Sequence, residues 1–285
     1  MRLATVLVDG RPRVAIVRDD DTVVLIDTRA TGLAGIRAIA AGGEAALERL
    51  RVWLERQPPD AGTQLSAVTL GPAVPDPGAI YTVGLNYDGP GAAPRPDRPL
   101  IYGKAAGAIA GHGATLDWDR SVTDDVDAEV ELGVVMGAGG AIFGYTCVND
   151  ISARDERLDG DQWLLGKSMP GFCPVGPWVV TADAFDPANV ALRCTIDGVP
   201  IQDGRTTAMR FGIPEIIAYL SQHLELRPGD LIATGTPPRL ATSPGPGRRL
   251  RAGDAVTVSI EGIGRLTTTV AGPRPSPDPD EGAST

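Results

Sequence analysis

Long apolar runs, histidines, cysteines and basic clusters are all scarce in this 285-residue chain, and each shortage closes off a class of function. No apolar stretch approaches the ~18 residues that cross a bilayer. The opening residues, MRLATVLVDG, lack the basic patch and apolar run of a secretory signal, so a cytoplasmic protein is expected. Cysteine occurs three times, at Cys147, Cys173 and Cys194, with no CxxC spacing. That disfavours a disulfide framework or a thiolate zinc site and predicts buried structural thiols. Histidine occurs twice, as His112 and His223, which narrows the acid–base chemistry on offer. With no basic run to set against a formal charge of −10, nucleic acid and anionic membrane surfaces are repelled. A small-molecule partner is expected instead. There is neither a GxGxxG nor a Walker loop, so nothing supports a nucleotide-binding fold.

What is present is a globular composition, 42% apolar, enough for one sizeable core and a small second module. Apolar and polar residues alternate through Leu3, Thr5 and Leu7, then Val14 to Val17, then Val23 to Leu25. Asp9-Gly10 and Asp19-Asp20-Asp21 punctuate them, which predicts a small antiparallel meander. From Ala34 to Arg56 the spacing becomes helical, with Gly42-Gly43 expected to split the segment and Pro58-Pro59 to end it. Residues 1–72 thus read as an N-terminal accessory module. Short strand patterns separated by Gly and Pro follow, interrupted by one helix from Pro214 to His223. Many strands and few helices point to an α+β fold with a rolled or sandwiched sheet. The Pro- and Asp-rich end, 272–285, has nothing apolar to bury and reads as a disordered tail.

The segment DAEVELGVVM (127–136) carries the chemistry. Strand periodicity puts Asp127, Glu129 and Glu131 on one face and Ala128, Val130 and Leu132 on the other. Carboxylates about 7 Å apart on one face either meet water or are held by a cation. The next strand pattern, 141–148, runs into Asn149-Asp150. Three carboxylates without a neighbouring His or Cys make a hard oxygen site, suited to Mg²⁺, Mn²⁺ or Ca²⁺ rather than zinc. Lys167, between apolar residues in Trp163-Leu164-Leu165-Gly166-Lys167-Ser168, is either a surface lysine or a cation serving that site.

Seven segments in order carry a resemblance: GLNY (84–87), DAEVELGVVMG (127–137), GYTCVNDISARD (144–155), GKS (166–168), PVGPWVVT (174–181), LRPGDLIATGTP (226–237) and LRAGDAVTVSIEGIG (250–264). From about Ile80 to Val270 the chain resembles the fumarylacetoacetate hydrolase family of acylpyruvate hydrolases, oxaloacetate decarboxylases and isomerases. The resemblance implies a mixed β-roll catalytic domain over 73–271, usually a homodimer. It implies Mg²⁺ or Mn²⁺ on Glu129, Glu131 and Asp150. It implies substrate and enolate contact by Lys167, with Arg154 and Thr236 lining the site.

The departures from the family pattern bear on the reaction. Hydrolytic members continue GLNY as GLNYxxHxxE, a His–Glu pair that activates water. Here those positions are Pro90 and Ala93, which accept no proton, and Pro94 and Pro96 disfavour a short lid helix. Arg157 stands where a glutamine is usual, adding a cation beside Arg154 that suits an extra anionic group on the substrate. A Gly-rich stretch has become Pro238-Arg239-Leu240-Ala241. The expectation is a metal-dependent lyase or isomerase that stabilises the enolate of an oxo-acid or polycarbonyl compound. The alternatives are a C–C hydrolase using another base, with His112 the candidate, and a silent homologue that only binds metal and ligand.

Overall fold

Alternation at the N-terminus builds the expected meander from strands β1 (Arg2–Val8), β2 (Arg11–Val17) and β3 (Thr22–Leu25). The computed structural model describes residues 1–155, 162–241 and 249–272, so Arg157 and the tail beyond Gly272 lie outside the described residues. Further along come β4 (Thr63–Gln64), β5 (Ile80–Gly84), β6 (Leu100–Gly103), β7 (Ile109–Ala110) and β8 (Thr115–Leu116). The carboxylate segment forms β9 (Val126–Asp127) and β10 (Val130–Met136), followed by β11 (Ile142–Asn149), β12 (Ser152–Ala153) and β13 (Cys173–Thr181). The last strands are β14 (Ala191–Ile196), β15 (Val199–Arg205), β16 (Leu231–Ala233), β17 (Ala255–Ile260) and β18 (Gly264–Val270).

One eleven-stranded sheet runs in the order β4-β3-β2-β1-β13-β11-β10-β16-β5-β6, with β7 beside β13. Residues before 73 share this sheet with residues after it, because β1 pairs with β13 through Arg2↔Val180 and Leu3↔Val179. The sheet is mixed: β16 lies antiparallel to β10 but parallel to β5. A second sheet, β15-β14-β17-β18-β8, packs against β10, β11 and β13. The strands β10 and β13, trapped between layers, are buried at every position. This is an α+β sandwich with few helices.

The helix Ile36–Glu55 buries Ile36, Ile39, Ala46, Leu47 and Leu50, the apolar stripe of a 3.6-residue period. It kinks at Gly43, whose φ of 55° and ψ of −143° leave the helical region as the Gly-Gly pair predicts. The helix Ile213–Ser221 has Pro214 in its first turn and buries Ile216 and Leu220. All three cysteines are free and buried, and burial pushes the Cys147 and Cys173 thiols up to about 12. Between Leu85 and Pro99 no helix forms. No helix of the described residues is long and apolar enough to cross a membrane.

Candidate active site

The β10–β11 ladder ends at Val130↔Asn149, and what lies just past it sets the site. Asp150 N donates to Glu129 O (2.9 Å), and Glu129 N donates to Asn149 Oδ1 (3.1 Å). The chain then re-pairs as β9 with β12, Asp127 opposite Ser152. This stitching brings carboxylate oxygens of Glu129, Glu131 and Asp150 to within 4.8 Å of one another. Asp150 and Glu131 are buried and Glu129 is 9% exposed, so the strand does not simply show its acids to water.

Two lysines answer this charge. The short helix Trp163–Gly166 ends at Lys167, whose Nζ donates to Asp150 Oδ2 (2.6 Å), Glu129 Oε2 (3.0 Å) and Ser152 Oγ (2.7 Å). Lys104 Nζ takes Asp150 Oδ1 and donates to Ile151 O at 3.0 Å. The Tyr102 hydroxyl adds a bond to Asp150 Oδ2 at 3.2 Å. Arg154 pairs with Glu129 Oε1. The two lysine loops are tied together where Ala105 N donates to Ser168 Oγ (2.9 Å).

These contacts split the three acids. Burial pushes Asp150 up, but Lys104 and Lys167 outweigh it and hold the carboxyl below its usual range. Burial likewise opposes ionisation of Glu129, and Arg154 with Lys167 overcomes it. Glu131 goes the other way: burial, then the charges of Asp150 and Glu129, push it well above the usual carboxyl range. Lys167, despite burial, is kept charged by Asp150 and Glu129.

The turn after β16 closes the site. Gly235 N donates to Glu131 Oε2 at 2.9 Å. Gly235 has φ +97°, and a Cβ there would sit 2.6 Å from Asn86 Cβ and 2.9 Å from Val83 O, so only glycine fits. Thr236 Oγ1 donates to Val130 O (2.8 Å) and accepts from Gln202 Nε2 (2.8 Å). Its hydroxyl is thereby committed to the fold, although the residue lines the cavity. Asp127 pairs with Arg239, and burial raises its carboxyl against that pairing.

Many of these groups border one cavity of about 440 Å³, together with Leu85, Pro90, Ala93, Trp163 and Arg210. Glu129, Glu131, Arg154, Lys167 and Thr236 line it, whereas Asp150, bonded by both lysines, does not. Arg157 lies outside the described residues. His112 is elsewhere: its Nδ1 accepts from Thr267 N (3.3 Å), and it borders a separate cleft with Pro177, Trp178 and Arg265. Within this chain it is therefore engaged by strand β18, at a different cleft from the one the carboxylates line. His223 lies in the turn just past the helix Ile213–Ser221, short of the expected helix end, and packs edge-on against Tyr219.

Sequence reasoning missed Lys104, Tyr102, Gln202 and Arg210. A signal was present for the first. Of 26 basic residues only Lys104 and Lys167 are lysines, and both converge on this site. The acid set fits a hard divalent cation. Its donors are all oxygen, and among the described residues Glu131 has no cation of its own to compensate its burial, with Lys167 already held by Asp150 and Glu129.

A sequence model described as fumarylacetoacetate (FAA) hydrolase, C-terminal, matches residues 79–271. Among solved structures, the chain is similar to a fumarylacetoacetate hydrolase from psychrophilic Exiguobacterium antarcticum, with 29% identity and a TM-score of 0.79 over 95% of this chain and 99% of that one. It is similar to 5-carboxymethyl-2-hydroxymuconate delta-isomerase from Mycobacterium smegmatis, with 30% identity and a TM-score of 0.73 over 95% and 99%. It is also similar to maleylpyruvate hydrolase from Sphingobium sp. SYK-6, solved with manganese(II) and pyruvate, with 26% identity and a TM-score of 0.78 over 96% and 100%.

Proposed function

The chain belongs to the fumarylacetoacetate hydrolase family, and on that premise we propose a divalent-metal-dependent enzyme that works through the enolate of an oxo-acid. We assign it lyase or isomerase chemistry rather than hydrolysis by activated water. One observation carries this: the cavity wall from Pro90 to Ala93 offers no proton acceptor, and no histidine lines the cavity among the described residues. Of the three carboxylates that line it, Asp127 is tied to Arg239, Glu129 to Arg154 and Lys167, and Glu131 is assigned to the metal. Loss of a general base typically lowers a rate by ~10²–10⁴.

Glu129, Glu131 and Asp150 are the residues that would hold Mg²⁺ or Mn²⁺. The manganese and pyruvate in the Sphingobium relative support that assignment. Such an ion, when bound, supplies Lewis acidity to an oxo-acid's carbonyl oxygens. The Lys167 ammonium, kept charged and fixed by three contacts, is set to neutralise negative charge that develops on a substrate oxygen. Arg154 orders Glu129 and presents its guanidinium at the same wall. The reading also carries a cytoplasmic homodimer with residues 1–72 as accessory module and 73–271 as catalytic domain. Light scattering at micromolar concentration tests the assembly.

The deciding assay follows C–C hydrolysis of an acylpyruvate and exchange of the proton α to its carbonyl side by side, with Mn²⁺ present. Exchange, or oxaloacetate decarboxylation, with negligible hydrolysis is expected. Robust hydrolysis would sink the assignment.

A further inference from the structure

We propose that the mouth of this cavity selects an oxo-acid whose far end is an uncharged apolar group, aryl or branched alkyl, over one that ends in a second carboxylate. This rests on the oxo-acid reading above and adds the substrate's other half.

Burial sorts the cavity lining into a floor and a mouth. Glu131 and Lys167 are buried, whereas Leu85, Pro90 and Ala93 are exposed and Trp163 and Pro238 are half-buried. Among the described residues the floor is ionic and the mouth is mostly apolar, with Arg154 and Arg239 half-buried beside it. A cavity of about 440 Å³ lies within the usual ~300–1,000 Å³ of small-molecule sites, so the ligand reaches past the ionic floor to this mouth.

Among the described residues, the arginines at the wall are already engaged with the protein. Arg154 pairs with Glu129, and Arg239 with Asp127. Arg210 spends its donors on the rim itself: Nε on Asp88 Oδ1 (2.8 Å), Nη1 on Leu85 O (2.9 Å) and Pro94 O (3.3 Å), Nη2 on Ala93 O (2.6 Å). A second carboxylate at this mouth would lose its water to an apolar surface while competing with protein acceptors for these guanidiniums. An apolar group loses nothing there and removes exposed carbon from water.

The apolar mouth is also built rather than incidental. Leu85 holds φ +56°, a conformation leucine avoids, while leaving its side chain 47% exposed at the cavity edge. The same turn seats buried Asn86, whose side-chain amide donates to Phe211 O (3.1 Å) and Thr234 O (2.7 Å), and so presents Leu85 at the edge. The rim is fixed from several directions: Arg210 N donates to Asn86 O (2.8 Å), Asp88 N to Ala208 O (2.9 Å), and Arg95 Nη2 to Arg210 O (2.8 Å). With no helix between 85 and 99 to close over the ligand, discrimination falls to this preformed wall.

The test is calorimetric binding to the full-length protein loaded with Mn²⁺. The probes are a phenyl-bearing 2,4-dioxo acid (benzoylpyruvate) and one with the same dioxo head and a terminal carboxylate (maleylpyruvate). Benzoylpyruvate is expected to bind about tenfold more tightly. Leu85→Asn, a residue that tolerates positive φ and so spares the fold, should cut the ratio of the two affinities by about fivefold. Equal or tighter binding of maleylpyruvate overturns the proposal while leaving the oxo-acid reading standing. A ratio unchanged in both Leu85→Asn and Ala93→Asp also overturns it. If Mn²⁺ binds but neither dioxo acid does, the oxo-acid reading falls and the apolar mouth with it.

Discussion

Lys104 and Lys167, the two lysines of the chain, divide one carboxylate between them: Lys104 Nζ takes Oδ1 of Asp150 and Lys167 Nζ lies 2.6 Å from Oδ2. Elsewhere the chain meets every need for positive charge with arginine. An ammonium is a compact point charge that fits where a planar guanidinium fork does not. Asp150 and Lys104 are wholly buried side chains, so each is costly without the other.

Lys104→Met should therefore destabilise the metal-free protein by about 3 kcal/mol in denaturant unfolding at neutral pH. The sign with pH follows from Asp150, whose carboxyl is held below its usual range. A depressed carboxyl contributes stability that is present above the unfolded value of ~3.9 and lost as pH falls through the folded one. The gap between wild type and variant should thus narrow below about pH 4. An equal gap at pH 7 and pH 3 would remove Asp150 from the explanation.

Glu131→Gln should act with opposite signs in the two states of the site. In metal-free protein, Glu131 has its carboxyl pushed up by burial and by its acidic neighbours, a cost that appears as pH rises above the usual carboxyl range. The amide removes that cost, so the melting temperature at neutral pH should rise by ~2–4 °C. With Mn²⁺ saturating the wild type, the same change should lower it, because a ligand is gone. Apparent Mn²⁺ affinity of the wild type should climb with pH as Glu131 gives up its proton. A variant that Mn²⁺ binds as tightly and stabilises as much as it does the wild type would take Glu131 out of the ligand set.

Arg210→Lys should loosen the cavity rim. One ammonium cannot span the four acceptors on Leu85, Asp88, Ala93 and Pro94 that the guanidinium serves. A stability loss of roughly 1–3 kcal/mol is expected, with new proteolytic cleavage between residues 85 and 99. Unchanged cleavage would mean the rim is held by its other bonds.

His112→Ala should leave α-proton exchange within about twofold of wild type, against the ~10²–10⁴ expected from loss of a general base. His112 accepts from Thr267 N beside β18 and borders a different cleft. A hundredfold drop would place a route between that cleft and the carboxylates.

Strand periodicity alone put Asp127, Glu129 and Glu131 on one face, and all three do line the cavity, although the strand breaks at 128–129 into β9 and β10. Local spacing likewise yielded the meander, the kink at Gly43 and the buried cysteines, because side-chain direction within an element follows from residue spacing. Motif order was enough for the family, since those segments are turns and strand ends with narrow chemical demands. Nothing local, however, says what packs against a charge. Lys104 reaches Asp150 across 46 residues, and Arg210 reaches the rim across 116 to 125. The β1–β13 register that carries the sheet across residue 73 joins Arg2 to Val180, across well over half the chain. The same holds for the split among the three acids: Asp150 is lowered and Glu131 raised by what surrounds each, not by their shared carboxyl chemistry. Desolvation and pairing are properties of the assembled core, so only the tertiary structure decided which acid carries the charge, which cation answers it, and that His112 stands apart.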